Sequence, residues 1–473
     1  MIIVMKPDVV PESQEVAAVR LATSHDPTLR IEVIHMVGVS RTITEIHILG
    51  NTAALREETF ESLAGVERVI RVKEKYRTIG RHEGKAEVLG FEYNGLQFTQ
   101  DSFHIFAGLC AVDSRASVEA TFKALQGLGI TTTRAGAYKP RTSPYDFQGH
   151  GASCLPYVFE LAGKYGIRVV AMEVLREAHV DEIRKALHES GNATGVILQI
   201  GTRNAQNFEL LKFVGSQTEY PVLFKRGMGI TLEESLNACE YVAASGNQKI
   251  IFALRGMKTN YGDPHRNMVD FAHVPVVRRL TRLPVCVDPS HSVGKKAAGP
   301  EGISDIAHVT AQAAVVGANM VLVDIHPTPE KAMSDGPHAL TLNELPIFLE
   351  DVQMARDLFT RRVEHHERTR AKQLSTQLSS MEPPNLLSTA RASIDGIDRR
   401  MVVLLQQRAQ LMQVVAHAKR ELGHPVRDAQ REAAVFKLRR QWANELGLDP
   451  KFVDVIFQAV LEYSRSLQDG RSS

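Results

Sequence analysis

The chain has 473 residues, 44% of them hydrophobic, and its 56 Lys and Arg against 54 Asp and Glu give a formal net charge of +2. This length is too great for one hydrophobic core, so we expect two or three domains, and the near balance of charge gives no global field that would indicate a nucleic-acid or membrane partner. No apolar run reaches the length of a transmembrane helix, and the four cysteines (Cys110, Cys154, Cys239 and Cys286) form no CxxC pair. These features predict a cytoplasmic protein without a disulfide framework.

Short strands and helices alternate over residues 1–75. The pattern predicts strands at 2–5, 31–35, 43–49 and 66–72, with helices over 12–23 and 54–62. The order β-α-β-β-α-β is typical of a ferredoxin-like α+β domain. Beyond it, Asn94-Gly95 lies between two alternating apolar runs, which predicts a β-hairpin.

A buried strand followed by a helix recurs eight times in the next part of the chain. The predicted strands are 103–110, 131–137, 168–174, 195–200, 221–226, 249–255, 284–288 and 320–325. Eight such units predict an α/β fold, a (β/α)8 TIM barrel, and the span fits its usual size of about 250 residues. We assign residues 76–358 to this barrel.

A reactive or charged side chain falls at or just after the end of each predicted strand. These are Cys110, Arg134, Glu173, Arg203, Lys225, Arg255, His291 and Asp324. The C-terminal strand ends of a barrel converge on one face, whereas charges with a structural role would be scattered. Chance explains any one of these positions but is a poor account of all eight, so they predict an active site.

Two kinds of chemistry are present at this predicted face. Arg134, Lys139 and Arg141 with Thr142 place three cations and a hydroxyl within nine residues, which suits phosphate and carboxylate oxygens. Taken alone, the same stretch also fits a solvated basic loop. Thiol, imidazole and carboxylate groups come from Cys110, His291, Asp324 and Asp335, a set that fits a divalent transition metal of the Mn, Fe, Co or Zn class.

The last part of the chain is predicted to be helical. Residues 359–385 are polar and charged and end near Pro383-Pro384, which indicates a helical tail running into a linker. Residues 386–473 begin with a long helix whose apolar residues recur on one side. Two further helices are predicted near 427–445 and 450–468, so we expect an all-α domain.

The barrel motifs resemble those of one enzyme family. The matching stretches are Ala107-Gly-Leu-Cys110, Arg134 to Pro144, Gln199 to Phe208, Lys225-Arg-Gly, Leu254-Arg-Gly, Asp288-Pro-Ser-His291 and Pro329 to Gly336. They resemble the type I-beta 3-deoxy-D-arabino-heptulosonate 7-phosphate (DAHP) synthases, and the resemblance extends to the N-terminal ferredoxin-like domain. It implies a condensation of phosphoenolpyruvate with erythrose 4-phosphate that yields DAHP and phosphate.

The resemblance also implies roles for individual residues. Phosphoenolpyruvate would be held by Arg134, Lys139, Arg203, Lys225 and Arg255, and the sugar phosphate would face Arg141, Thr142 and Asp288. Lys139 and Glu173 would transfer protons, and Cys110, His291, Asp324 and Asp335 would bind the divalent metal. An octulosonate-phosphate synthase, which uses arabinose 5-phosphate, is the alternative within the fold, but Lys139-Pro-Arg-Thr142 favours the four-carbon sugar.

The C-terminal region resembles the all-α chorismate mutases, which convert chorismate to prephenate. The matching residues are Arg391, Arg408, Lys419, Asp428, Arg431, Glu432, Ser464 and Gln468. By this resemblance Arg391 and Arg408 hold carboxylates, Lys419 and Gln468 stabilise charge on the ether oxygen, and Glu432 with Asp428 positions the hydroxyl. Arg431 and Ser464 complete the substrate-binding positions. The spacing of these residues is also common on solvated helix faces.

A homo-oligomer follows from the position of Arg391. It lies roughly 100° around the helix from Arg408, so it does not serve the same pocket within one subunit, and in the family the matching Arg reaches the partner's site. We expect a mutase dimer together with a barrel dimer or tetramer. The competing class is regulatory, with one domain acting as a ligand sensor without turnover.

Two departures from the family bear on regulation and on the metal. Relatives bind tyrosine through a His and a Ser where this chain has Ile34 and Met36. We therefore expect weak or absent inhibition by tyrosine and strong inhibition by prephenate acting through the helical domain. Asp324 stands where relatives carry Glu, which shortens the ligand arm by one methylene and predicts a more weakly held metal. Leu109 and Ala111 change only the packing beside the predicted thiol ligand.

Overall fold

The fold is taken from a computed structural model in which the chain divides into two compact units, Met1–Val363 and Glu364–Ser473. The structure describes residues 1–7, 9–24, 26–37, 42–50, 52, 55–70, 76–82, 90–379, 383–421, 423 and 429–468. Within these ranges, no helix is long and apolar enough to cross a membrane.

The N-terminal segment forms a four-stranded antiparallel sheet in the order β2-β3-β1-β4. Its strands are β1 (Ile2–Met5), β2 (Arg30–Val37), β3 (Thr42–Leu49) and β4 (Val66–Ile70), and its helices are α1 (Gln14–Thr23) and α2 (Glu57–Glu61). The helices share one apolar core with the sheet through Val16, Val19 and Phe60. The predicted ferredoxin-like domain is confirmed. Ile34 lies on β2, whereas the side chain of Met36 is outside the described part.

A short hairpin precedes the barrel. It joins β5 (Phe91–Tyr93) to β6 (Leu96–Phe98) in antiparallel register. Asn94 and Gly95 both have positive φ, 48° and 73°, as a two-residue hairpin turn of type I′ requires. The hairpin predicted from Asn94-Gly95 is therefore confirmed.

Eight parallel strands form the barrel wall, in the order β7-β14-β13-β12-β11-β10-β9-β8. They are β7 (His104–Gly108), β8 (Thr132–Arg134), β9 (Val169–Val174), β10 (Gly195–Ile200), β11 (Val222–Lys225), β12 (Ile250–Leu254), β13 (Val285–Val287) and β14 (Met320–Asp324). The predicted (β/α)8 barrel is confirmed, and each observed strand lies within its predicted range.

The barrel closes where β7 meets β8. Leu109 and Ala135 form a parallel bridge there, and the backbone N–H of Gly136 donates to the Leu109 carbonyl at 3.2 Å. Gly108 permits this approach, because a Cβ added to it would lie 2.0 Å from the carbonyl oxygen of Arg134.

Helices surround the barrel, and its interior is filled with apolar side chains. The helices are α3 (Arg115–Gly127), α4 (Leu155–Lys164), α5 (Glu177–Ser190), α6 (Phe208–Ser216), α7 (Leu232–Ala244), α8 (Val274–Leu280), α9 (Pro289–Val293), α10 (Asp305–Val315) and α11 (Leu345–Ser379). Inside, Phe106, Ile197 and Leu223 belong to one buried cluster with Phe91 and Phe98 of the hairpin. The hairpin therefore covers the N-terminal end of the barrel and leaves the C-terminal end for a site.

The remaining described chain is helical, as predicted. The helices are α12 (Pro383–Glu421), α13 (Ala429–Leu446) and α14 (Pro450–Gln468), and α14 packs against both α12 and α13. Helix α11 continues to Ser379, so most of the predicted linker at 359–385 is itself helical.

Candidate active sites

The structure brings the predicted barrel residues to one end of the barrel. Arg134, Lys225 and Asp324 end their strands, Glu173 is the fifth residue of β9, Cys110, Arg203 and Arg255 follow β7, β10 and β12, and His291 lies in α9 after β13. Arg134, Lys225, Arg255 and Asp324 are each less than 5% exposed. Burying so many charges costs folding free energy unless the charges are paired with one another or with a charged ligand.

Two overlapping groups of side chains have the geometry of a metal site. Cys110, His291 and Asp324 offer ligand atoms that lie within 4.8 Å of one another, and so do His291, Asp335 and His338. The Cys110 Sγ is 3.5 Å from the His291 Nε2. Sulfur, imidazole nitrogen and carboxylate oxygen together fit a divalent transition metal. Three of the predicted ligands, Cys110, His291 and Asp324, form the first group, and the fourth, Asp335, lies in the second.

Asp288 fixes the orientation of the His291 ring. Its two carboxylate oxygens lie 3.1 and 3.0 Å from the His291 Nδ1, and it also accepts a hydrogen bond from the Lys225 ammonium. With the proton on Nδ1, the Nε2 lone pair faces Cys110. Burial lowers the pKa of His291 to about 3, so the ring is neutral at pH 7, as a metal ligand must be.

Lys139 lies between two of the predicted metal ligands. Its Nζ is 2.7 Å from the Cys110 Sγ and 2.6 Å from the Asp335 Oδ2. Burial opposes its charge, but Cys110 and Asp335 outweigh that effect and raise the pKa of Lys139. Burial also raises the pKa of the Cys110 thiol. Metal binding at this site would therefore release a proton from the thiol.

Asp324 is held by a cation on one side and an imidazole on the other. Its Oδ1 accepts a hydrogen bond from the Arg134 Nη1 at 2.6 Å, and its Oδ2 lies 3.0 Å from the His338 Nε2. Although burial opposes ionisation, Arg134 holds the pKa of Asp324 below its ordinary value. The carboxylate is therefore charged at neutral pH.

Arg255 is a buried cation without a full set of partners. It is 2% exposed, and its Nε and Nη1 have no hydrogen-bond partner among the described residues. Burial lowers its pKa, which reflects the cost of keeping this charge away from water. Such a guanidinium suits an anionic ligand that supplies the missing acceptors.

The remaining predicted residues of the barrel make hydrogen bonds around the site. Arg203 Nη2 lies 3.3 Å from the Thr142 hydroxyl, and Arg141 Nη1 donates to the Ser334 hydroxyl at 2.8 Å. Glu173 accepts a hydrogen bond from Gln199 at 2.9 Å. Gly201 gives Glu173 its space, since an added Cβ would lie 1.9 Å from the Glu173 Oε1.

His338 lies among the barrel-site residues, although it was not predicted from the sequence. It is 2% exposed and follows Asp335 by three residues in Asp335-Gly-Pro-His338. That short spacing from a predicted ligand is the signal that would have identified it.

A second cluster of charged side chains lies in the helical unit. Arg408 on α12 donates to the Ser464 hydroxyl on α14, and Arg465 forms a bidentate pair with Glu432, with two N–O distances of 2.8 Å. Arg439, which sequence reasoning missed, is 8% exposed. Burial and the nearby charges of Arg408 and Arg431 lower its pKa. The Arg439 guanidinium also lies over the Phe457 ring, 4.0 Å from its centroid.

The remaining predicted mutase residues are only partly described. Lys419 is half-buried on α12, and Arg391 is exposed on the same continuous helix. At 1.5 Å per residue the two arginines Arg391 and Arg408 are about 26 Å apart along the helix axis, so they do not share a pocket within one chain. Asp428 and the side chain of Gln468 lie outside the described part.

Three family models match the chain. The DAHP synthetase I family matches residues 90–360, the DAHP synthase ferredoxin-like domain matches residues 1–74, and chorismate mutase type II matches residues 390–469. Together they cover the ferredoxin-like segment, the barrel and the helical unit.

Individual relatives agree with these matches. A phospho-2-dehydro-3-deoxyheptonate aldolase of Thermotoga maritima is 40% identical over 359 residues, covering 76% of this chain and 97% of the relative. A 2-dehydro-3-deoxyphosphooctonate aldolase of Rhodopseudomonas palustris is 28% identical over 261 residues, covering 52% of this chain and 85% of the relative.

A solved structure agrees as well. The crystal structure of the DAHP synthase of Thermotoga maritima superposes with a TM-score of 0.54 at 37% identity, covering 76% of this chain and 96% of that one. The chain therefore belongs to the DAHP synthetase I family, as a bifunctional shikimate-pathway enzyme in which a DAHP synthase barrel is followed by a chorismate mutase domain.

Proposed function

We propose that the C-terminal end of the barrel joins phosphoenolpyruvate to erythrose 4-phosphate, using the residues gathered there. One observation carries this proposal. The ligand group of Cys110, His291 and Asp324 lies at the same end of the barrel as the buried, incompletely paired guanidinium of Arg255. A set of metal-binding side chains and an incompletely paired guanidinium at the same end of the barrel suit a reaction between a phosphorylated enol and an aldehyde.

Phosphoenolpyruvate is the ligand that Arg255 and its neighbours would hold. The Nε and Nη1 groups of Arg255 supply two donors for its phosphate or carboxylate, while Lys225, 4% exposed, adds an ammonium. Arg203 and Arg134 complete a cationic surface around this ligand. Holding both anionic groups fixes the methylene carbon of the enol for attack on the aldehyde.

The aldehyde would lie against the ligand group. A divalent ion held by Cys110, His291, Asp324 and Asp335 would supply Lewis acidity at the aldehyde oxygen. Lys139 lies within 2.7 Å of both Cys110 and Asp335, so its ammonium is placed to protonate the oxygen that becomes a hydroxyl. Water then adds to the cationic carbon of the former enol and phosphate leaves, with Glu173 proposed as proton acceptor.

The position of Asp288 favours a different role from the sugar-phosphate contact that the family resemblance implies. It is 0% exposed, and both oxygens are engaged by His291 and Lys225. We propose that Asp288 orients those two side chains. Arg141 and Thr142, on the rim with Arg203, remain for the sugar phosphate.

The proposed thiol ligand, Cys110, limits which metals can bind and which cellular compartment suits the enzyme. Sulfur and imidazole donors favour Mn, Fe, Co or Zn over Mg or Ca. All four cysteines are free and buried, and a ligand thiol must stay reduced to bind metal. We therefore place the reaction in the reducing cytoplasm.

The helical unit would rearrange chorismate as a dimer. Helix α12 exposes large apolar side chains along its length, including Ile394, Met401, Leu404 and Leu411, each at least 46% exposed. Exposed apolar stripes of this kind mark interaction surfaces, and a second copy of the chain would cover this one. Arg391, remote from its own Arg408, then enters the partner's pocket.

The choice of sugar tests the proposed synthase reaction directly. We expect the purified protein with a divalent metal to consume phosphoenolpyruvate with erythrose 4-phosphate and not with arabinose 5-phosphate. The absorbance of phosphoenolpyruvate reports both reactions in parallel cuvettes. Faster consumption with arabinose 5-phosphate would assign the barrel to the octulosonate reaction instead.

Arg255→Lys tests the proposed anion site. Lysine keeps the charge but loses the planar pair of donors, so we expect kcat/KM for phosphoenolpyruvate to fall about 10- to 100-fold. Arg279→Lys is the matched control, because Arg279 is exposed on α8, and it should retain wild-type kinetics. Equal kinetics for the two variants would remove Arg255 from the substrate site.

A further inference from the structure

We infer that His338 is an additional metal ligand, which binds through its Nε2 and supplements the short side chain of Asp324. This inference rests on the proposed metal site and adds a second imidazole to it. The imidazole is buried, and its Nε2 faces the carboxylates of Asp324 and Asp335.

The hydrogen bonds of His338 leave its Nε2 directed into the site. Its Nδ1 lies 3.3 Å from the carbonyl oxygen of Gly294, which accepts a hydrogen bond when the proton is on Nδ1. Its Nε2 lies 3.0 Å from the Asp324 Oδ2 and 3.8 Å from the Asp335 Oδ1. A ring N–H bonded to a backbone carbonyl is the usual support for a histidine that binds metal through the other nitrogen.

The Nε2 of His338 faces a carboxylate oxygen of Asp324. With its proton on Nδ1, the ring presents a lone pair at Nε2 to a carboxylate oxygen only 3.0 Å away. Two acceptors face each other at that distance only if a proton or a cation lies near both. Asp335 adds a second carboxylate at the same position, and this excess of anionic donors favours a divalent cation.

The distances suit a shared centre. Metal–ligand bonds of about 2.0 to 2.3 Å place the ligand atoms of one ion at most about 4.6 Å apart, close to the 4.8 Å span of the His291, Asp335 and His338 group. The His291 and His338 rings have centroids 5.1 Å apart and are inclined by 56°. His291 also belongs to the group with Cys110 and Asp324, so the two groups share one ligand.

Backbone hydrogen bonds next to His338 hold its loop against the end of β14. The N–H of Leu340 donates to the Asp324 carbonyl and the N–H of His326 donates to the Leu340 carbonyl, each at 2.9 Å. These bonds return the loop to the strand that carries Asp324. Because the Asp324 Oδ1 is engaged by Arg134 at 2.6 Å, only the Oδ2 of that short side chain remains for the ion, and His338 supplies the additional donor.

X-ray absorption of the cobalt-loaded protein counts imidazole ligands and tests this assignment without an activity assay. We expect two imidazoles in the wild-type protein and one in His338→Gln, with Co²⁺ affinity at least about tenfold weaker in that variant. His326→Gln is the matched control, since His326 is also buried but bonds to Asp113 at 2.7 Å. It should retain two imidazoles and wild-type affinity.

The possible outcomes separate this inference from the proposed function. One imidazole in the wild-type protein, or two in His338→Gln, would overturn the role of His338 while the metal site stands. No Co²⁺ binding by the wild-type protein would remove the metal site and with it the basis of the inference. Because the wild-type count decides by itself, a His338→Gln variant that fails to fold does not obscure the result. The double variant Asp324→Glu with His338→Gln should recover Co²⁺ affinity while its Co²⁺ binds only one imidazole.

Discussion

Cys110→Ala is expected to lower DAHP synthase turnover by at least about a thousandfold, because the variant loses a ligand of the catalytic metal. Lewis-acid stabilisation by a metal is worth several kcal/mol, and each 1.36 kcal/mol corresponds to about tenfold in rate. The thiol is the only sulfur ligand in the Cys110, His291 and Asp324 group and lies 3.5 Å from the His291 ring. Chorismate mutase activity should remain within about twofold of wild type, since the helices form a separate compact unit.

Cys239→Ala is the matched control for that experiment. Cys239 is a fully buried free thiol on α7 and belongs to the apolar core of the barrel. Its removal should cost some stability and leave bound metal and both activities in place. Metal content by elemental analysis and both initial rates would be measured on each variant. A Cys110→Ala protein that keeps its metal and its synthase activity would remove Cys110 from the site.

Arg391→Ala and Lys419→Ala should each lower mutase turnover by at least about a hundredfold, the usual effect of removing one group that stabilises transition-state charge. In a crossed dimer each site uses Lys419 of one chain and Arg391 of the other. A mixed dimer of the two variants therefore contains one site without a lesion and one with both. Half of the dimers in an equal mixture are mixed, so about one quarter of wild-type activity should return.

A second mixture controls for nonspecific rescue. Arg408 and Lys419 are predicted to serve one pocket from the same chain, so every site in a dimer of Arg408→Ala with Lys419→Ala carries a lesion. That mixture should regain no activity. Native mass spectrometry of differently tagged chains would establish subunit exchange in both mixtures. Exchange without rescue in the first mixture would contradict the crossed site.

The barrel was predictable from sequence because its strands are buried on both faces. Strands such as Gly195–Ile200 are buried at every position, so they appear as continuous apolar runs bounded by turn residues. Once the strands are placed, barrel topology brings their C-terminal ends together. Cys110, Arg134 and Lys225 could therefore be assigned to one site without any coordinates.

The missed and reinterpreted residues depend on contacts that no local pattern records. His338 reaches the site because backbone bonds at Leu340 return its loop to β14. Arg439 is identified by its burial and its neighbours Arg408 and Arg431, since its spacing resembles that of any charged helix residue. The engagement of Asp288 with both His291 and Lys225 likewise appears only when β11 and β13 are folded together.

Treating the purified protein with a strong chelator, and assaying both reactions before and after, tests the central claim most directly. We predict that synthase activity with erythrose 4-phosphate disappears and returns on addition of a divalent transition metal, while mutase activity is unchanged throughout. A protein that rearranges chorismate yet shows no synthase activity with any divalent metal would contradict the account, because the barrel would then have kept its fold without its reaction.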